Sequence, residues 1–339
     1  MKVASGLASG RQASAELAAQ AVRGALDAAG LERADSVLLF LSRDFQRHAQ
    51  AAVLAAARTA NSLQIFGSTV SGLFTERAEL LDQPGAAALV IADGDGDNPA
   101  AGAPKLSFCG HGALPCEWLD GIPRVGLLDS DAQAWAHGRL HDEACCEIGI
   151  RGHQVGLALS TGLRLLSAPL PVDLSEAYEL RQVAGQSAAA SLRRSLPAAW
   201  REAPPLHQVA IVRQPNEPGI AILSANADGS LTLAEPLLAG ERICWAIRQP
   251  LAAEQDMRQS LLTAKAALSP PDFALMFSCI GRGPLFYGDE DRDRAAFREQ
   301  FPGLPMLGTY GQGQIAPVGG SNRLFHNSVI TLLFAGAHV

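Results

Sequence analysis

The stretch Phe66-Gly67-Ser68-Thr69-Val70-Ser71-Gly72-Leu73-Phe74 finds a counterpart in Leu307-Gly308-Thr309-Tyr310-Gly311-Gln312-Gly313-Gln314-Ile315. Each is preceded by the same order of elements. Ser36 to Ser42 is apolar throughout and predicts a strand covered on both faces, and Gln46 to Ala60 has helical composition. Phe273 to Cys279 and Asp291 to Gln300 repeat that order before the second stretch. Glycine at the end of a buried strand lets the backbone turn sharply or lets a ligand approach the main chain, so Gly-Ser/Thr at both places suggests duplicated architecture. The plainer reading, that strand–helix–strand units recur in all α/β proteins, stays open beside it.

Outward from these stretches, Val3 to Ala8 reads as a strand and Ala13 to Ala29 as an amphipathic helix stopped by Gly30. Ala86 to Ala92, Leu106 to Cys109, Val155 to Leu159 and Tyr178 to Val183 read as further strands, followed by a helix from Gln186 to Leu196. Hairpin signals then cover His207 to Leu233, with a strand at Ile243 to Ile247 and a helix at Leu251 to Leu268. Pro197, Pro204 and Pro205 block both helix and ladder, which puts the domain boundary near residue 200. The expected fold class is α/β (mixed α+β). It comprises two similar domains, 1–200 and 201–339, each a mixed sheet with packed helices.

Of the 339 residues, 48% are hydrophobic and 18% charged, which suits a globular chain with a sizeable core. Net charge is −7 and only Lys2, Lys105 and Lys265 are lysines, so no lysine-rich surface is available to track a phosphate backbone and nucleic acid is not an expected partner. No apolar run approaches the ~20 residues that cross a bilayer, and the first residues lack an apolar signal core. The expectation is a cytoplasmic protein, away from membranes, with its six cysteines as reduced thiols.

Three ordered motifs carry a family resemblance: Ser278-Cys279-Ile280-Gly281-Arg282-Gly283, Phe301 to Gly311, and His326-Asn327-Ser328-Val329. They resemble the C-terminal part of the FIST (F-box and intracellular signal transduction) proteins. Phe66 to Glu76, and the run from Gly156 to Ala188, are similar to the N-terminal part of the same family. The resemblance implies an intracellular sensory protein that binds a small polar ligand, an amino acid or carboxylate, and signals through a partner or its oligomeric state. One departure stands out. The family pattern usually carries Gly-Glu before Ile-Ala-Pro, and here Gly313-Gln314-Ile315-Ala316-Pro317 has an amide.

Arg282 sits between two glycines directly after an apolar strand, where open α/β sheets place ligands. Its guanidinium can grip a carboxylate with two parallel hydrogen bonds, or it can pin the loop by pairing with Asp289 or Asp291. Gly283 and Gly308 would leave main-chain N–H groups open to the same ligand, and Tyr310, Gln314 and Asn327 would orient it or else brace the turns. Ser68, Thr69 and Cys279 complete the candidate set. Cys279 also supports an alternative, a cysteine-dependent transferase or hydrolase with His326 or His111 as base, and its plainer role is a small buried hydrophobe. A third reading is a protein-interaction scaffold, which predicts a large exposed apolar patch.

Asp93-Gly94-Asp95-Gly96-Asp97 begins like a calcium loop, but its twelfth position falls on Pro104 rather than a bidentate Glu. Cys109, His111, Cys116, His137, His141, Cys145 and Cys146 offer soft ligands without a paired knuckle. No phosphate fingerprint or nucleophile elbow is present, so no metal, nucleotide or other cofactor is expected.

Overall fold

The computed structural model describes residues 1–92, 103–149 and 152–336. In chain order it contains β1 (Lys2–Ser9), α1 (Ala15–Ala29), β2 (Ser36–Ser42), α2 (Ala49–Ala60), β3 (Ile65–Val70), β4 (Gly72–Thr75), β5 (Glu79–Leu81) and β6 (Gly85–Ala92). Next come β7 (Lys105–Cys109), β8 (Arg124–Leu128), β9 (Ala134–Ala136), β10 (Arg139–Leu140), β11 (Cys145–Gly149) and β12 (His153–Ser160). A mostly antiparallel stretch follows: β13 (Leu163–Leu165), β14 (Leu170–Glu176), β15 (Glu179–Val183), β16 (Gln186–Ser187), α3 (Ala188–Ser195), β17 (Val209–Val212), β18 (Ile220–Ala225), β19 (Leu231–Leu233) and β20 (Arg242–Arg248). The last elements are α4 (Pro250–Ala266), β21 (Phe273–Cys279), α5 (Pro284–Tyr287), α6 (Arg292–Gln300), β22 (Met306–Gly311), β23 (Gly313–Val318), β24 (Ser321–Phe325) and β25 (Val329–Gly336). The fold class is the expected mixture of helices and mixed sheets.

The chain divides into two compact units, Met1–Leu159 with Met257–Val339, and Ser160–Asp256. The boundary expected near residue 200 falls inside the second unit. There the prolines shape short 3-10 turns at Ala198–Trp200 and Leu206–Gln208 between α3 and β17. Proline fixes φ locally, and that turns a chain without ending a domain.

Within the first unit one pattern occurs three times. β2 and β3, β7 and β8, and β21 and β22 are parallel pairs, and β6, β11 and β25 run antiparallel to the first member of each. After each second strand comes a hairpin, and the hairpins are exchanged in a ring: β9 pairs with β3, β23 with β8, and β4 with β22. The duplication suggested by Gly67 and Gly308 is therefore a triplication. The ladder puts Gly67, Gly126 and Gly308 at equivalent steps, opposite Trp135, Ile315 and Phe74 of the incoming hairpins. Any side chain there would collide: a Cβ would lie 1.8 Å from the Leu39 carbonyl oxygen at Gly67, 1.9 Å from that of Ser107 at Gly126, and 1.9 Å from the Phe74 ring at Gly308.

The same register makes Phe40, Phe108 and Phe277 equivalents, and their rings meet one another. Centroids lie 5.1 Å apart for Phe40–Phe108, 6.4 Å for Phe40–Phe277 and 5.9 Å for Phe108–Phe277, all edge-on, the arrangement aromatic quadrupoles favour. Strand alternation sends Leu38 and Phe40 toward this shared core, and Val37, Leu39 and Leu41 toward α1 and α2. In the third repeat Phe273, Leu275 and Phe277 face the core, while Ala274 and Met276 face Met257 and Leu261 of α4 and Phe297 of α6. The second repeat is covered on its outer face by Trp118 of the turn Cys116–Leu119, which packs with Cys109, Leu128 and Ile315. Cys109 and Cys145, directly opposite on β7 and β11, form a disulfide, which corrects the expectation of six free thiols.

The second unit is one sheet in the order β13-β20-β14-β15-β19-β18-β17. Its core gathers Val172, Leu180, Val209, Ile211, Leu231 and Trp245, with the Trp245 indole donating to Ser191 Oγ at 3.1 Å. Among the described residues no helix is long and apolar enough to cross a membrane.

Candidate functional site

Of the two roles the sequence leaves to Arg282, ligand anchor and loop pin, the structure overturns the first and shows the second, with a different acid. Arg282 is 1% exposed, and its Nε and Nη2 donate to Asp293 Oδ2 and Oδ1, both at 2.9 Å. The acid is neither Asp289 nor Asp291. Asp291 instead caps α6, accepting from the Asp293 and Arg294 N–H groups. Burial pushes the Asp293 carboxyl up to about 6, outweighing the pull of Arg282. Burial also works against the Arg282 charge, but Asp293 and Tyr287 more than offset it, so the guanidinium stays ionised. A fork held by two bonds in a dry interior is a structural clamp.

Most other expected ligand groups are likewise engaged within the fold. The buried Tyr310 hydroxyl donates to Asp291 Oδ2 at 2.5 Å and lies 3.3 Å from Glu79 Oε2. Gly283 packs against the Tyr310 ring and Gly308 against Phe74, so their main chains are covered by side chains. Gln314 is fully buried, 3.0 Å from Ser328 Oγ. A neutral amide suits that place, because an unpaired carboxylate there would carry a large desolvation cost. Asn327, at φ 54, lays its side chain over Gly281 and braces the turn into β25. Thr69 Oγ1 accepts from the Gln133 N–H at 2.9 Å, and Ser68 is 2% exposed within β3.

At the carboxyl ends of the parallel strands the structure gathers a different set, which sequence reading missed. Asp129, directly after β8 and 1% exposed, accepts from Arg43 Nη2 at 2.5 Å, Ser71 Oγ at 3.0 Å and the Gln312 N–H at 3.3 Å. These partners come from the other two repeats, so one carboxylate latches all three. Burial raises its pKa, and the Arg43 charge opposes that rise. Cys279 Sγ and His326 Nδ1 both reach the Gln312 carbonyl oxygen, at 3.6 and 3.0 Å. The thiol thus points at an acceptor oxygen here. The available signal in the sequence was an acid at the mouth of an apolar run, Val125 to Leu128.

The opposite end is open. A cavity of about 650 Å³ lies at the amino ends of the strands, between the first and second repeats, and Leu38, Phe66, Ile91, Leu106 and Ile148 form its apolar walls. Its polar lining is Asp35, Ser36, Gln64, His137, Glu147 and His153. His137 Nδ1 and Gln64 Oε1 are 2.9 Å apart, and the imidazole stands edge-on to Phe66 at 5.0 Å. Glu147 is oriented by Arg124 Nε at 2.5 Å and Lys105 Nζ at 3.4 Å. Arg124 also grips Asp120, whose carboxyl its hydrogen bond holds down at about 2.

The repeat explains why this space exists. In the third repeat the corresponding pair is Phe273 and Phe334, stacked at 4.4 Å, with His153 edge-on to both. In the first repeat the same ladder step carries Ser36 and Ile91. Two rings are missing, and a cavity remains. The volume falls in the range of small-molecule sites, which join apolar walls to a few placed polar groups.

Of the soft ligands, Cys109, His111 and Cys145 come together, and the calcium-like motif at 93–97 lies outside the described residues.

Comparison with known proteins places residues 179–317 as a match to the FIST C domain, a family of signal-transduction sensory domains. The match includes Cys279, Arg282, Tyr310 and Gln314, and begins after the cavity's lining residues. The N-terminal FIST module rests on its motifs alone. Two uncharacterized proteins of Mycobacterium tuberculosis are 32% and 31% identical to the chain over 107 residues, 31% of this chain. An uncharacterized protein of Mycobacterium bovis is 31% identical over the same length. The matched stretch spans 28% of each relative.

Proposed function

We propose that the chain is a sensory module that binds a small ligand in the amino-end cavity of its first unit, and that the ligand joins an apolar body to an amine or another donor-rich head. The observation that supports this reading is the loss of the aromatic plug: Ser36 and Ile91 stand where the third repeat has Phe273 and Phe334. The FIST C match supports a sensory role.

The lining favours that head group. Its described residues include Asp35 and Glu147 and neither lysine nor arginine. A ligand carboxylate would face Asp35, whereas an ammonium would find acceptors in Asp35 and Gln64, Glu147 being shared with Arg124 and Lys105. This replaces the anion anchored on Arg282 as the recognition chemistry. An apolar amino acid presents the right body and amine, but its carboxylate counts against it.

A thermal-shift series tests the reading with phenethylamine, phenylalanine and phenylacetate, whose bodies are alike and whose charges differ. A ligand at 100 times its Kd adds about 2.7 kcal/mol of stability. The expected order of stabilisation is phenethylamine, then phenylalanine, then phenylacetate. A reversed order contradicts the proposed chemistry.

A further inference from the structure

We propose that Cys109, His111 and Cys145 form a binding site for a thiolate-seeking divalent cation of the zinc type, open when the Cys109–Cys145 disulfide is reduced. The ladder brings the two cysteines together. They are directly opposite on β7 and β11, with Cα atoms 4.1 Å apart, and His111 follows Cys109 by two residues. The imidazole nitrogen and both sulfurs lie within 4.8 Å of one another. Tetrahedral zinc takes sulfur at about 2.3 Å and nitrogen at about 2.0 Å, which sets neighbouring ligand atoms about 3.5 Å apart. Side-chain rotation alone spans that difference.

The backbone beneath the three residues is tied on several sides. Gly110 N–H donates to the Ala144 carbonyl at 2.8 Å, Asp129 N–H to that of Cys109 at 3.0 Å, and Asp131 N–H to that of Gly110 at 3.0 Å. Cys109 is buried, Cys145 half-buried and His111 exposed, so the ligands run from interior to solvent. A metal held there would keep its fourth position for water or an external ligand.

The disulfide takes two electrons from a phosphine and two protons from water, giving two thiols and the phosphine oxide. Binding then releases both thiol protons, and the two thiolates neutralise the dication. Thiol–disulfide exchange with an external low-molecular-weight disulfide passes the two electrons to it, gives two external thiols on uptake of two protons, re-forms Cys109–Cys145 and expels the ion, so occupancy follows the redox state.

The test uses the whole chain, reduced with a phosphine, desalted without oxygen and titrated with Co²⁺, then Zn²⁺. One equivalent of Co²⁺ should produce thiolate-to-cobalt charge-transfer and tetrahedral ligand-field bands, which Zn²⁺ removes. The oxidised protein and Cys145→Ser should give none, His111→Ala should bind about tenfold or more weakly, and Cys116→Ser and Cys146→Ser should match the wild type. If Cys145→Ser fails to fold, the oxidised wild type supplies the same control. Absence of bands in the reduced protein, equal bands in the oxidised protein, unaltered affinity in His111→Ala, or loss of the bands in Cys116→Ser or Cys146→Ser would each overturn the assignment.

Discussion

Ser36 and Phe273 stand at the same step of equivalent strands, and each lies opposite a residue of its repeat's last strand, Ile91 in one case and Phe334 in the other. Where both residues are aromatic the end of the repeat is filled by stacked rings. Where they are serine and isoleucine it opens into a cavity. At the other end Asp129 ties the repeats together, so the first unit is latched at its carboxyl end and hollow at its amino end.

The Arg282–Asp293 clamp predicts a stability effect. Arg282→Ala leaves a buried carboxylate without its partner and should cost about 3–5 kcal/mol in urea unfolding, whereas Arg282→Met with Asp293→Leu should recover most of that loss. An Arg282→Ala protein as stable as wild type would show that the pair is dispensable.

The same pair sets a pH dependence. Asp293 ionises near 6 when folded and near 3.8 when unfolded, so the folded state holds the proton more tightly. Its contribution is fully present below pH 3.8 and is lost as pH rises through 6. Wild type should therefore lose stability relative to Asp293→Asn between about pH 4 and pH 6. A difference that instead grows with pH would mean that attraction to Arg282 outweighs burial.

Substitution of the three equivalent glycines should rank by what each Cβ meets. Gly67→Ala and Gly126→Ala drive a methyl into backbone carbonyls, Gly67 moreover at φ 148, while Gly308→Ala meets the buried Phe74 ring, a side chain rather than main chain. The expected losses exceed about 3 kcal/mol for the first two and are smaller for the third, read from denaturation midpoints. Equal losses would show that the Phe74 ring yields no more than the two backbone carbonyls.

Thiol reactivity should follow exposure and burial. Cys116 is exposed, whereas burial pushes the Cys146 thiol up to about 12. Iodoacetamide at neutral pH should label Cys116 first and leave Cys146 unmodified in the folded protein, as peptide mass mapping would read. Early labelling of Cys146 would contradict the packing around it.

Much of this architecture was legible in the sequence. The strand–helix–strand order and the likeness of Gly67 to Gly308 appear in the residues themselves, because buried parallel strands are apolar throughout and their turns need glycine. The middle repeat escaped notice for physical reasons: Leu127 follows Gly126 where the others have Ser68 and Thr309, and a short turn around Trp118 replaces the helix. The inserted second unit starts and ends inside regular elements, at Ser160 and Asp256, where composition does not change, while the prolines near 200 mark an internal turn. Arg282 read as a ligand anchor because its partner sits eleven residues along, on a helix whose docking no local pattern reveals. The cavity is a difference between two repeats, visible only once the ladders align Ser36 with Phe273.

The most direct measurement is calorimetric titration of phenethylamine into wild type and into the double variant Ser36→Phe with Ile91→Phe, which rebuilds in the first repeat the aromatic pair of the third. Saturable binding by wild type and none by the folded double variant is the predicted result. Undiminished binding by the double variant would place the ligand elsewhere.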